Sequence, residues 1–283
     1  MKLAWVAAVL ASGGCAAAED ARWYAQIDND VVFGTDRWYT SGVRIARVRD
    51  GLEFGLDQEV FTPAAKDWRP GKDDRVPVGR LLAYGALHGE GRGYFQTMQL
   101  ALGVRGPAAL GRQTTNAIHH LISAPHVDWS RQLDNRFDAS VAFTRSQSVV
   151  VDRIKVHAGA TLGTQLSFAH AGFEVRAGDP RPASALLRFA PTPPFAPVEG
   201  ASAWSAYAGA SVRAIGRNDL LSRNYDPFGA DLQYRRGMTR VAVGAALMRP
   251  WGTLAFDLAQ DSKEYDGQFA PQRFGSVTVH FAF

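Results

Sequence analysis

Two stretches of this chain gather side chains able to do chemistry. The segment NDVVFGTDRWYTS, beginning at Asn29, carries with its immediate flanks Asp28, Asn29, Asp30, Asp36, Thr40 and Gly42. Carboxylates, an amide and a hydroxyl in one short loop are oxygen donors of the kind that a hard cation such as calcium takes. The spacing is not that of an EF-hand, and Asn and Asp are equally at home in solvated turns, so this loop alone leaves both readings open. The second segment, GRQTTNAIHHLISAPHVDW (111–129), sets Ile118, Leu121 and Ile122 at helical spacing, with His119 and His120 between them. On such a helix Asn116, His119 and Ser123 share a face, and Thr115 or Asn116 is expected to cap its start. The alternative is a small amphipathic helix with solvated histidines. The remaining histidines (His88, His126, His157, His170 and His280) are scattered, with no HExxH or HxH cluster for zinc and no GxSxG to present a serine nucleophile. Hydrolysis by this chain would therefore use water activated by His119, with a cation polarising the carbonyl.

The elements that must hold these stretches read as strands. LEFGLDQEVF sets Leu52, Phe54, Leu56 and Val60 against Glu53, Asp57 and Glu59. YFQTMQLALGV alternates Tyr94, Met98, Leu100, Leu102 and Val104 with Gln99, Ala101 and Gly103, and TRVAVGAALM does the same with Val241, Val243, Ala245 and Leu247. One face is apolar and the other polar or very small, which suits lipid outside and a crowded or wet lumen inside. The final strand, FGSVTVHFAF, ends on Phe283 with Phe281 and Val279 in the same alternation. Before all of this, MKLAWVAAVLASGGCAAAED has the single Lys2, an apolar run and small residues, as a secretory signal cleaved after Ala18 does. Cleavage there removes Cys15, the one cysteine, so the mature chain has no thiol chemistry and no disulfide. The apolar run is well short of the ~20 residues that a membrane helix needs.

These signals together predict an all-β fold: a transmembrane antiparallel barrel over 19–283, preceded by a signal peptide over 1–18. A soluble sandwich is the competing fold. About twelve strands are expected, near 21–28, 42–50, 52–61, 80–89, 94–104, 137–146, 150–161, 164–178, 203–215, 230–249, 252–261 and 274–283. With both termini periplasmic, the connections 29–41, 62–79 and 105–136 lie outside the cell and 179–202 inside, so the Asp30 loop and the His119 helix emerge on one side. The formal charge of +4 and the pI near 9.3 are too mild to argue for nucleic acid. No protein partner is implied.

The blocks IDNDVVFGTDRWYTSGVRI (27–45), QEVFTP (58–63), GVRGPAALGRQTTNAIHHLI (103–122), DWSRQLDNR (128–136) and QRFGSVTVHFAF (272–283) resemble the lipid A 3′-O-deacylases of Gram-negative outer membranes. The resemblance implies a twelve-stranded barrel with its active site between the wall and a short extracellular helix. It also implies Ca²⁺-dependent hydrolysis of the 3′-linked acyloxyacyl ester of lipid A, with lipopolysaccharide in the membrane as substrate. By matching position, the catalytic set falls on Asn29, Asp30, Thr40 and His119, with Asp30 and Thr40 at the metal and His119 as general base. Some members carry an acid six or seven residues beyond that histidine. Here Pro125 and His126 stand there, and Asp128 is the nearest acid. Arg37, Lys66, Arg69 and Lys72 are expected to meet lipid A phosphates or to form a general cationic rim. An outer-membrane phospholipase and a non-catalytic porin or structural barrel are the alternatives.

Overall fold

The computed structural model describes residues 22–64, 74–150, 153–179, 202–221 and 232–282. The expected signal peptide, Lys66, Arg69, Lys72, Phe283 and nearly all of the 179–202 connection lie outside these residues. Twelve strands follow in order: β1 (Arg22–Asn29), β2 (Trp38–Arg49), β3 (Leu52–Thr62), β4 (Val78–Gly91), β5 (Tyr94–Arg105), β6 (Arg136–Val150), β7 (Ile154–Gly163), β8 (Leu166–Gly178), β9 (Ala203–Asn218), β10 (Gly237–Arg249), β11 (Gly252–Asp261) and β12 (Gln272–Ala282). Each pairs antiparallel with the next. β12 returns to β1, from Ala282 beside Arg22 to Gly275 beside Asn29, and the barrel closes. Closure leaves no unpaired edge, which is the condition for a sheet to cross lipid.

All twelve expected strands are present; the largest difference is at the start of β10, and the start of β2, the end of β6 and the start of β7 each differ by four residues. β2 begins at Trp38 instead of 42, because a bulge at Thr40 lets Trp38 and Tyr39 keep their pairing with Thr62 and Phe61. β10 begins at Gly237 instead of 230, with Tyr234 making only an isolated bridge to Tyr265.

Alternation sorts the side chains as expected. Leu52, Phe54 and Leu56 are exposed on the outside of β3, while Glu53 and Glu59 are buried inside; on β10, Val241, Val243 and Leu247 face out and Arg240, Ala242 and Ala246 face in. The inner face is charged and the charges are paired. Glu53 accepts from Tyr24 Oη at 3.1 Å and lies 2.8 Å from His88 Nε2. Arg44 reaches Tyr84 Oη at 2.7 Å and Gln99 Oε1 at 3.1 Å. Nearer the extracellular end Arg80 bridges Glu59 and Asp138, and Arg240 and Arg213 share Asp261. Each of these ions finds its counter-ion on the adjacent strand or the next but one, the pairing that buried charge requires.

One outward position breaks the pattern. Val60 belongs to the apolar outer row of β3 yet is 1% exposed, because Val127 and Trp129 cover it. The segment after β5 therefore folds back over the outside of the wall. There the single α-helix of the described residues, α1 (Gly111–Ile122), lies against β3 and β4. Its start differs from expectation: Leu110, in the left-handed region at φ 60°, is the N-cap, and Thr115 and Asn116 sit inside the helix. A 3-10 turn over Pro107–Ala109 feeds the chain into the helix five or six residues earlier than a cap at Thr115 or Asn116 would.

Arg105 at the end of β5 donates to the Asp219 carbonyl beyond β9 at 2.6 Å, and Arg75 ahead of β4 pairs with Glu264 beyond β11 at 3.0 Å; these contacts across the barrel predict that it is closed. Planar-bilayer recordings of the reconstituted protein should show no steady ohmic conductance; a stable open channel would contradict this packing.

Candidate active site

The site begins where β1 ends. Asn29 turns its side-chain oxygen onto the N–H of Val31 at 2.7 Å, which starts a 3-10 turn over Val31–Phe33 with Asp30 as its N-cap. Gly34, in the left-handed region at φ 66°, then reverses the chain without steric cost. The returning segment folds over Asp30. Thr35 Oγ1 and the Arg37 N–H donate to Asp30 Oδ2 at 2.9 and 2.8 Å, and the Asp30 N–H reaches the Thr40 carbonyl at 3.3 Å. Trp38 takes φ 62°, a strained conformation for a bulky residue that costs about 2 kcal/mol. Its ring is buried with Leu221, Leu232 and Tyr265, and that packing holds the strained backbone in place.

The bulge then decides which residues face out. Tyr39 pairs with Phe61 and Ser41 with Val60, so Thr40 is the extra residue of β2. Tyr39 packs inward against Phe61 and Phe274, and the next side chain turns away from them. The Thr40 and Thr62 hydroxyls meet at 2.5 Å.

Helix α1 brings the histidine to the same place. Gly79 on β4 and Gly111 at the helix start lie so close that a Cβ on Gly79 would stand 2.9 Å from the Gly111 nitrogen. Gln58 clamps the contact by donating to the Ala109 carbonyl at 2.7 Å and accepting from Thr114 Oγ1 at 2.9 Å. At the other end Ser123 is left-handed at φ 56°, and the Ala124 N–H bonds back to the His119 carbonyl at 2.9 Å. This reversal carries the Pro125 carbonyl to His119 Nδ1 at 2.5 Å. A carbonyl only accepts, so Nδ1 carries the hydrogen. The other ring nitrogen, Nε2, lies 3.0 Å from Asp36 Oδ2. His119 is buried, whereas His120 is exposed.

Of the expected site residues, the fold thus assembles Asn29, Asp30, Thr40 and His119 in neighbouring elements on the outer side of the wall. Asp28 is drawn away from them: it is buried in the lumen and accepts from Tyr39 Oη at 2.6 Å and Gln26 Nε2 at 2.8 Å. Arg37 stacks its guanidinium on Trp38 and Phe269, 4.5 and 4.7 Å from the ring centres. Asp128 accepts from the Ser130 N–H at 2.9 Å within its own turn. Three contributors were not singled out from sequence. Asp36 stood there only as one acid of the loop, Thr62 had no distinguishing feature, and the support from Pro125 is a backbone atom that no residue type announces.

The electrostatics invite a cation. Asp30 Oδ1 and Asp36 Oδ1 are both buried with no hydrogen-bond partner. Burial pushes the Asp30 carboxyl up to about 7, with the Asp36 charge adding to the rise; burial also raises Asp36, against the pull of His119. No group of three His, Cys, Asp or Glu stands ready for a metal among the described residues. The donors that fit are therefore one or two carboxylates with neutral hydroxyl and carbonyl oxygens, a set suited to a hard, weakly held ion.

With this geometry in view, the model of the outer membrane protein LpxR family matches residues 3–283. The chain belongs to the LpxR family. It is an outer-membrane β-barrel protein. Among solved structures, LpxR from Salmonella typhimurium superposes with a TM-score of 0.78 at 16% identity, covering 93% of this chain and 100% of that one. The beta domain of the Bordetella autotransporter BrkA gives a TM-score of 0.42 at 12% identity, covering 93% of this chain and 98% of that one. No curated protein matches by sequence. In this LpxR-family barrel the glycine contact predicts that Gly79→Val frees α1 from the wall. The strand-side overpacking costs about 2 kcal/mol. The variant should remain a heat-modifiable barrel while protease cleavage within 111–122 accelerates at least about tenfold.

Proposed function

We propose that this protein hydrolyses an acyl ester of lipid A, releasing the 3′-linked acyloxyacyl chain at the outer leaflet. The observation that carries this reading is the position of the site in an LpxR-family barrel. His119 and the Asp30 loop meet on the lipid-facing side of the wall at its extracellular end, beside Val60 and under α1. A lipid of the outer leaflet reaches such a site laterally, whereas a solute crossing a pore would not meet it. The contacts of Arg105 and Arg75 across the barrel argue against the porin alternative in the same way. A phospholipase remains the closest alternative chemistry, and offering the purified protein phospholipid and lipid A together separates the two.

His119 is the general base. Its Nδ1–H is held by the Pro125 carbonyl, which fixes the ring and leaves Nε2 as the nitrogen that takes a proton from water. The water oxygen attacks the ester carbonyl carbon. The proton taken by Nε2 then passes to the departing sugar oxygen, so the products are a carboxylic acid and the free 3′-hydroxyl. Asn29 has its amide oxygen on the Val31 N–H, and its NH₂ end is the donor for a substrate or water oxygen. Asp30 and oxygens about Thr40 would hold Ca²⁺, which when bound polarises the ester carbonyl. The expected acid beyond the histidine is not needed for orientation, because a carbonyl at the same sequence distance does that work. Lipid A phosphates are assigned, from the sequence, to Lys66, Arg69 and Lys72, and to Arg37, whose guanidinium is held by its stack on Trp38 and Phe269.

Expression in a host lacking such an enzyme, followed by mass spectrometry of lipid A, tests this directly. The wild type should remove one acyloxyacyl unit from the 3′ position. His119→Ala should insert normally and lose at least about a hundredfold in rate; Asp30→Ala should also insert and leave lipid A intact. Unchanged deacylation in either variant removes the role given to that residue. EDTA should abolish activity and Ca²⁺ restore it. Pro125→Ala should stay within about tenfold of wild type, because the supporting atom belongs to the backbone. A complete loss would show that the ring is held by something else.

A further inference from the structure

Both nitrogens of the His119 ring are occupied: Nδ1 by the Pro125 carbonyl and Nε2 by Asp36 Oδ2 at 3.0 Å. The second contact lies where a water would have to sit to give up its proton. A base in this arrangement is blocked, and it is blocked by a carboxylate from the same loop that carries Asp30. Asp36 has a second tie to that loop, since its charge is close enough to raise the Asp30 carboxyl. Its Oδ1 is buried without a partner, as is Asp30 Oδ1. Two half-satisfied carboxylates on one eight-residue connection are more than a single imidazole can satisfy.

We propose that Asp36 is a transferable carboxylate: it holds His119 Nε2 while the loop is cation-free, and it moves to a divalent cation bound beside Asp30. The transfer would free Nε2 for water. The hydrogen shared by the pair passes to solvent as the two separate, and Nδ1–H stays on the Pro125 carbonyl. The segment that must move is short and is bounded by Gly34 on one side, so a small change about that glycine suffices. One ion then governs two things, the polarisation of the ester and the availability of the base. Asp36 is a positioning residue in this scheme, acting through His119 and the cation. The inference rests on the assignment of His119 as base given above.

The test uses the whole mature protein refolded in detergent micelles with ¹⁵N-labelled histidine. The His119 ring signals are identified by their loss in His119→Gln. In the cation-free wild type, Nε2 should show the shift of a nitrogen bonded to a carboxylate, and Ca²⁺ should move it to the position of one facing water. Asp36→Asn should show the moved position before any Ca²⁺ is added, and should bind Tb³⁺ about tenfold more weakly than wild type. Asp36→Glu should restore Tb³⁺ affinity and the Ca²⁺-dependent shift. An Nε2 signal that stays fixed through Ca²⁺ saturation overturns the transfer, as does Asp36→Asn binding Tb³⁺ as tightly as wild type, or a wild type that binds no Tb³⁺. Failure of the underlying assignment looks different: His119→Ala would still deacylate lipid A, whatever the spectra and Tb³⁺ binding showed.

Discussion

The contact between Gly79 and Gly111 is the constraint on which the site depends. A strand of the wall and the first residue of a helix approach to backbone distance, and no side chain fits between them. The approach is possible because neither residue has a Cβ, and Gln58 of the wall fastens it by bonding the Ala109 carbonyl and the Thr114 hydroxyl at the helix start. With the helix start pinned there, its twelve residues reach to Ser123, and His119 arrives over the β1–β2 connection. Val127 and Trp129 then seal the far side against Val60. Move the first contact and every later distance changes with it.

Inside and outside of the wall carry different tasks. The lumen holds Arg44, Glu53, Tyr84, His88, Arg80, Asp138, Arg240 and Asp261 in ion-paired and hydrogen-bonded sets, which tie adjacent and next-but-one strands together. Pairing of this kind is costly to break, since removing one member strands a buried charge worth about 3–5 kcal/mol. At the outer site Asp30 Oδ1 and Asp36 Oδ1 are buried without a hydrogen-bond partner.

Most of the barrel was legible in the chain because a period of two is forced on every strand by lipid on one face and a filled lumen on the other. Leu52, Phe54 and Leu56 against Glu53 and Glu59 show that force in eleven residues. It failed at Trp38–Thr40, where a bulge shifts the alternation by one and made strand look like loop. Of the site, His119, Asp30, Asn29 and Thr40 were visible through the family resemblance, and the fold brings them together. The partnership of Asp36 with His119 was not, because 83 residues separate them and neither neighbourhood hints at the other. The Pro125 carbonyl was invisible for a deeper reason: residue identity does not encode what a main-chain oxygen does.

The lipid-facing location of the site carries a kinetic consequence for the proposed reaction. A lipid entering there comes from a two-dimensional solvent that touches the opening at all times, so encounter is set by lateral diffusion within the leaflet. Substrate scarcity cannot then restrain the proposed hydrolysis. Restraint must come from the reacting groups themselves, and the three-ångström contact between a carboxylate and an imidazole is the place in the fold where such restraint can reside.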